Sequence, residues 1–438
     1  MATIKEDGIH VIVVGLGIAG LATAIECREK GYSVTAYEKT DILKPVGDCV
    51  GIGSNGSRII GRWGNGTVRD ELSPWRNTAK VINIYNGQGR KILQQDLSEV
   101  CKEINYLIPR AQLLQTMYNH AQRIGVKLYL GQDVTDTWET DTQAGVVVDN
   151  ERISADCVIC CDGVHSKRRL AITGENLATR PSGYAAFRAL IDGEKIAADP
   201  EARWIIETSE AEDRFDVFFV NGAQIALQTS NRGKEVTWFC IHTDTRPLLD
   251  SWTSPSNPQE VTDLMKKWAV GDRLLSVIRH TPENKFINYP LFEREPLPTW
   301  TSHGGRIILA GDAAHPLSPA AGQGASQGIE DAAVIAVCLR LAGKSQVPLA
   351  LRVAEKIRYN IQFVLMSDQN NEAWRQRDWD AFEEDETKIA TVPLEEWVYG
   401  HDAEAHARSE FSGLAEEIRK VPMPIGRAPE VGLTAAAR

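Results

Sequence analysis

Apolar positions near the start of the chain fall into three blocks with different periods. Residues 9–14 are a continuous apolar run broken by His10, the pattern of a strand buried on both faces. LATAIECREKG then changes to helical spacing, with Gly31 as its stop, and SVTAYE, ending at Glu38, reads as a second strand. Strand-to-helix succession returns twice more. Residues 155–161 form an apolar strand that ends at Asp162-Gly163 and leads into a basic helix start. Residues 306–310 form another, followed by Gly311-Asp312, a Pro/Gly-rich loop and a helix from Ala325 to about Leu341, closed by Gly343. In IPRAQLL, Pro109 suits a first helical turn, and the leucines give that helix a buried face. Two stretches, about 79–103 and 183–288, hold strand-like segments such as KVINIY, FDVFFV, AQIALQT and VTWFCIH.

Composition narrows the class without naming it. With 438 residues, 43% of them hydrophobic, the chain can bury a large core and is expected to form two domains. A net charge of −11 argues against nucleic acid as a main partner. Lys5, Glu6 and Asp7 precede the first apolar run where a secretory signal would place its hydrophobic core, and no apolar stretch reaches bilayer length. The expectation is a cytoplasmic protein with no membrane partner. The eight cysteines (27, 49, 101, 157, 160, 161, 240 and 338) show no metal-ligand spacing, and several sit in apolar runs, so reduced, buried thiols are expected. No repeat or low-complexity tract is present.

The chemistry concentrates where strands meet helices. Gly15 permits a tight turn, Gly17 lets backbone approach a pyrophosphate, and Gly20 lets helix and strand pack closely. The helix N-terminus favours the phosphates, and Glu38 can accept hydrogen bonds from ribose hydroxyls. FAD and NAD both satisfy this pattern. Asp312, at a strand's carboxyl end, can accept a hydrogen bond from a ligand hydroxyl, Gly322 and Gly324 allow close backbone approach, and the following helix aims its positive end at the ligand. Arg110 reads equally as a plain helix-start residue or a phosphate or ribitol contact. Lys167, Arg168 and Arg169 are either a solvated basic face or phosphate-steering groups. The segment GASQG also matches the G-x-S-x-G of hydrolases around Ser326, with Asp380, His401 and His406 following in triad order. A loop precedes this serine instead of a strand, and the two histidines sit in polar, peripheral-looking sequence.

Together these segments resemble the FAD-dependent aromatic hydroxylases, the single-component flavoprotein monooxygenases typified by p-hydroxybenzoate and salicylate hydroxylases, and above all their salicylate-hydroxylase-like, often fungal, branch. GLGIAGLATA with Glu38 resembles the FAD-binding glycine motif. CDGVHSKRR resembles the DG motif, with Asp162, Gly163, Ser166 and Arg169 in place. GDAAHPLSPAAGQG resembles the GD motif, with Asp312, His315, Pro316, Pro319, Gly322 and Gly324 in place. IPRAQLL is similar to the segment whose arginine meets the FAD. VGIGSNGSRII is similar to a loop usually written Pro-Asn, with Ser54 replacing the proline and Asn55 and Arg58 kept. EEWVYGHDAEA is similar to a tail segment of the fungal branch.

The resemblance implies an α/β fold. A glutathione-reductase-type, Rossmann-like FAD domain spans 1–78, 104–182 and 289–368; an inserted, mostly antiparallel β-sheet substrate domain spans 79–103 and 183–288; a helical C-terminal segment spans 369–438. FAD would be held by Gly15, Gly17, Gly20, Glu38, Lys39, Gly51, Arg58, Arg110, Asp162, Asp312, Gly322, Gly324 and Ala325. NAD(P)H, with NADPH ahead of NADH, would reduce it transiently, and O2 would give a C4a-hydroperoxyflavin that hydroxylates or epoxidises an aromatic or indolic small molecule of secondary metabolism. Arg188, in GYAAFRAL, is the expected substrate-holding guanidinium, with Tyr184 and Pro319 beside it and His242 and Phe218 as further substrate-facing candidates; Arg188 also reads as a cross-sheet ion-pair residue, and Tyr184, His242 and Phe218 as core or sheet residues. A monomer or homodimer is expected, its charged tail capping the FAD domain or joining the dimer. Two alternatives remain: a related FAD oxidoreductase that does not insert oxygen, and a non-catalytic flavin-binding protein. The halogenase WxWxIP and Baeyer–Villiger FxGxxxHxxxW signatures are absent.

Overall fold

The computed structural model describes residues 8–43, 49–97, 105–174, 180–209, 211–220, 222–244, 257–317, 322–366 and 396–420. The described chain opens with β1 (His10–Val14), α1 (Ile18–Glu29) and β2 (Ser33–Glu38), then β3 (Cys49–Ile52), α2 (Ser54–Ile60) and α3 (Thr67–Leu72). β4 (Val81–Tyr85) and β5 (Lys91–Asp96) are an excursion to a second sheet; β6 (Tyr106–Pro109), α4 (Arg110–Arg123) and β7 (Lys127–Leu130) return to the first region. A small antiparallel meander of β8 (Val134–Glu139), β9 (Ala144–Val148) and β10 (Glu151–Ala155) precedes β11 (Cys157–Cys160) and α5 (Arg168–Thr173). The second sheet is completed by β12 (Arg180–Asp192), α6 (Gly193–Ala198), β13 (Phe215–Val220), β14 (Ala223–Ser230), β15 (Glu235–Thr243), α7 (Pro258–Met265), α8 (Gly271–Ile278) and β16 (Ile287–Glu293). β17 (Ile307–Leu309), α9 (Gly324–Ala342), α10 (Val347–Met366), a helical turn Glu396–Tyr399 and α11 (Ala403–Lys420) close the described chain.

Five strands in the order β17-β11-β1-β2-β7 make a parallel sheet. β1 lies at its centre, and Val11, Ile12 and Val13 are fully buried, as a strand covered on both faces requires. α1, α4, α9 and α10 build the main core with this sheet, and Ala403, Ala407, Phe411 and Ala415 of α11 pack into the same core. Residues 403–415 therefore pack onto the domain of the parallel sheet, the first of the two positions expected of the tail. Among the described residues no single helix is long and apolar enough to cross a membrane; α9 and α10, an apolar pair bent by 113°, are core helices.

The seven-stranded sheet has the order β16-β12-β15-β14-β13-β4-β5, and all its pairings are antiparallel except β13 with β4. Register assigns its faces, because residues directly opposite share one. Ile287, Arg188, Phe239, Ala226, Val217, Ile84 and Leu93 line up across one face. Phe187, Cys240, Ile225, Phe218 and Tyr85 line up on the other, which packs against α7 and α8 through Val261, Met265, Leu274 and Val277. Helices cover this second face, so the first is the one left to meet a ligand.

Candidate cofactor and substrate site

β1, β11 and β17 run parallel and end together, bringing Gly15, Asp162 and Asp312 to one edge of the sheet. Gly15 has φ +89, a conformation favouring glycine, and an added Cβ would lie 2.6 Å from the Cys161 carbonyl oxygen. At Gly20 an added Cβ would lie 1.8 Å from the Gly15 carbonyl oxygen, so helix and strand touch here without room for a methyl. Gly17 differs: its φ is −70, and nothing lies within 4 Å of where a Cβ would stand. It is also the N-cap of α1, which has neither a side-chain cap nor an acid in its first turn, so its amides remain available to an anion. Glu38 is fixed against this turn: Leu16 N donates to it at 2.9 Å, and Thr40 donates through its N at 3.1 Å and its Oγ1 at 3.0 Å. Lys39 is exposed just past the strand.

The arginines after β11 serve a different purpose from the phosphate steering weighed for them. Arg168 donates to Asp162 at 3.1 Å and to the Val134 carbonyl. Arg169 donates to the carbonyls of Ala313 (2.7 Å), Val164 (2.5 Å), Gly163 (3.1 Å) and Asp312. Burial and the nearby Arg294 bring the Arg169 pKa down to about 10. Their donors are spent on protein oxygens because the loops after β11 and β17 must be tied together. Asp162 keeps one oxygen, Oδ1, buried without a hydrogen bond among the described residues.

Asp312 is reachable by solvent yet set deep among protein atoms. That crowding pushes its carboxyl above the usual range, against the pull of His315, Arg110 and Arg169. Gly324 lies in front of it, with an added Cβ 4.0 Å from Asp312 Oδ1. Arg110 starts α4 straight after β6; burial lowers its pKa, Arg188 lowers it further, and Asp312 opposes both. Arg110, Arg188 and Asp312 thus share one electrostatic neighbourhood, although they come from three separate parts of the chain. Arg188 stands with its guanidinium carbon 4.9 Å from the Tyr289 ring centroid.

Tyr184 alternates onto the same sheet face as Arg188. His242 and Phe218 belong to the opposite face: His242 stacks on Phe187 at 5.0 Å and bonds Asn288 Oδ1 at 3.2 Å, while Phe218 stacks on Tyr85 at 4.7 Å. Gly51 and Gly322 are exposed with open space before them, as is half-buried Gly163. Ala325 is half-buried in the first turn of α9. Arg58 donates to the Gly400 carbonyl at 3.0 Å. Pro319 and Asp380 lie outside the described residues.

Ser326 is fully buried inside α9, and its Oγ accepts from Gly53 N at 3.0 Å. His401 bonds Glu330 and His406 bonds His401, neither of them this serine, so no hydrolase triad assembles among the described residues. The peripheral position expected for His401 is also corrected, since it bonds a fully buried acid. Sequence reasoning missed the network around that acid. Arg358 donates to Asp331 at 2.7 Å and to Glu330 at 2.6 Å, and His315 Nε2 lies 2.6 Å from Asp331. Burial works against both acids' charges, but Arg358 and histidine partners hold each below its ordinary pKa. The available signal was Glu330-Asp331 inside an otherwise apolar helix, matched by Arg358 in the next one.

These features fit a flavin dinucleotide. Two helices, α1 and α9, begin at the strand edge without side-chain caps or first-turn acids. Open glycines line the approach, Glu38 closes the second strand, and a carboxylate and an arginine flank the start of α9. Residues 8–348 match the FAD binding domain family. The FAD-dependent monooxygenase nodY2 of Hypoxylon pulicicidum is 40% identical over 433 residues, covering 95% of this chain and 94% of that protein. The asperlicin C monooxygenase of Petromyces alliaceus is 40% identical over 427 residues, covering 96% and 92%. The crystal structure of CtdE in complex with FAD and a substrate superposes with a TM-score of 0.87 at 35% identity, covering 94% of this chain and all (100%) of that one.

Proposed function

From the premise that this chain belongs to the FAD binding domain family and is an FAD-dependent monooxygenase, we propose that it hydroxylates or epoxidises an aromatic or indolic small molecule, using NAD(P)H and O2. The observation that carries this reading is the convergence of Arg188, on the open face of the antiparallel sheet, with Arg110 and Asp312 at the cofactor-binding strand ends. Bound FAD supplies the reductive activation of oxygen. The chain's own groups do the rest. Arg188, held over Tyr289, offers a cation to an electron-rich ring or its anion, and Phe239 and Ile241 give that ring an apolar wall that excludes water. Gly17 and the amides of α1 would hold the pyrophosphate, Glu38 the ribose, and Asp312 a ribityl hydroxyl. The uncapped start of α9 would offer its positive end to negative charge on the bound ring.

The asperlicin C relative supports a fungal natural product as substrate class, and the cytoplasm, where NAD(P)H is at hand, is the proposed setting. The test is turnover with 18O2 against a panel of phenolic and indolic compounds. One compound should stimulate NAD(P)H oxidation and emerge with one labelled oxygen. Stimulated oxidation with unlabelled product would instead favour an oxidoreductase that does not insert oxygen.

A further inference from the structure

The tail residue His401 lies at one end of a hydrogen-bonded chain that reaches the start of α9. His401 Nδ1 is 3.1 Å from Glu330 Oε1, and its Nε2 is 3.1 Å from His406 Nδ1. Glu330 Oε1 also accepts from Asn55 Nδ2 at 3.1 Å, and the same Nδ2 donates to Gln323 Oε1 at 3.1 Å. Gln327 Nε2 donates to that Gln323 oxygen as well, at 3.1 Å. Two acceptors fix the orientation of the Asn55 amide, and two donors fix that of Gln323. The consequence falls on Gln323 Nε2, a buried donor with no partner among the described residues. Gln323 is 3% exposed and is the N-cap of α9, between Gly322, whose Cβ position is open, and Gly324, which faces Asp312. A buried amide donor left unmade costs about 1–3 kcal/mol, so a donor fixed at this place is expected to have a ligand acceptor.

The tail is fastened at this spot more than once. Ser54 Oγ donates to the Tyr399 carbonyl at 2.6 Å, and Arg58 to that of Gly400. An added Cβ on Gly53 would lie 2.9 Å from the Tyr399 ring. Residues 399–401 therefore bind the β3–α2 turn and α9 to each other, and His401 reaches the buried acid.

We propose that His401 is a positioning residue of the flavin site: through Glu330 and Asn55 it sets the amide of Gln323, whose Nε2 is the donor offered to the bound ring's polar edge. The proposal rests on FAD binding and not on the oxygenation reading, and it is tested without substrate, so either can fail alone. The measurements are FAD affinity, by quenching of flavin fluorescence, and the visible spectrum of the bound flavin, on the full chain. His401→Ala should raise the FAD Kd about tenfold and shift the bound spectrum, the scale of one hydrogen bond to a charged group. His401→Asn, whose Nδ2 stands where the imidazole Nδ1 stood, should restore affinity to within about twofold and bring back the wild-type spectrum. Gln323→Met should reproduce the spectral shift with His401 intact, and the double variant should be no weaker than Gln323→Met alone. Wild-type affinity and spectrum in His401→Ala, a His401→Asn protein as weak as the alanine variant, or additive losses in the double variant would each overturn the proposal. Should His401→Ala fail to fold, His401→Leu, which fills the space without a donor, takes its place in the cycle with the same reading.

Discussion

Gly17 and Gly20 stand three positions apart and do opposite things. Gly20 makes room for protein, since its Cβ would collide with the Gly15 carbonyl; Gly17 leaves open space at a backbone angle that alanine also adopts. Gly20→Ala should therefore destabilise the apoprotein by about 3 kcal/mol or more, the upper end of overpacking, seen as a lowered thermal midpoint without any ligand. Gly17→Ala should leave that midpoint almost unchanged and weaken FAD binding about tenfold or more, measured by titration of the apoprotein. Asp312 separates the same two roles within one side chain. Its raised carboxyl pKa means that the charged form is disfavoured in the folded state, so its contribution favours folding at low pH and is lost as pH rises through the folded value. Asp312→Ala should then cost the apoprotein little or nothing at pH 7, while FAD affinity falls about tenfold to a hundredfold. Unchanged flavin content in that variant would refute its assigned role.

At the scale of an element, α9 combines two jobs that conflict locally. Its N-terminus must stay uncapped to face a ligand, while Glu330 and Asp331 place two acids in its buried body. Arg358 of α10 resolves the conflict by neutralising both. Removing one partner of a buried ion pair costs about 3–5 kcal/mol, so Arg358→Met should be strongly destabilised. Its pH dependence should also shift. In the native protein Glu330 and Asp331 are held below their ordinary values of 4.5 and 3.8, so their stabilisation is complete above those values and is lost as pH falls through the lower folded ones. With Arg358 gone, His315 and His401 still hold the two acids down but burial is opposed less strongly. Both folded values therefore rise, and the variant's thermal midpoint should begin to fall at a higher pH on acidification than the native one. A scan of midpoint against pH for both proteins decides it. The helix itself was legible from its apolar run and from Gly343, which ends it at φ +74. Its acids were not, because periodicity registers a charge inside an apolar face as an exception and says nothing of the partner that neutralises it.

At the scale of the whole molecule, Arg188 of the mostly antiparallel sheet shares an electrostatic neighbourhood with Arg110 and Asp312 at the strand ends of the parallel one, and the proposed reaction belongs there. Arg188→Ala should keep its FAD, because the guanidinium meets the cofactor region across the sheet face and is absent from the strand-end cradle. Substrate-stimulated NAD(P)H oxidation should fall by about a hundredfold or more, and normal coupled turnover would remove Arg188 from the site. Register also explains why two aromatic candidates of the same sheet behave differently from it: Phe218 and His242 alternate to the rear face and pack with Tyr85 and Phe187.

The sequence by itself determined what depends on neighbours along the chain. The strand-to-helix turns, the glycines they need, the acids that end strands at Glu38, Asp162 and Asp312, and the interrupted order of the two sheets are all written in local spacing. Tertiary structure decided the pairings between distant residues. Arg168 and Arg169 were free to be phosphate ligands until carbonyls as far away as Ala313 took their donors. His401 looked peripheral until Glu330, 71 positions earlier, stood beside it. The reason is physical: backbone preference and hydrophobic period act over a few residues, whereas the partner of a buried charge is chosen by how sheets and helices stack.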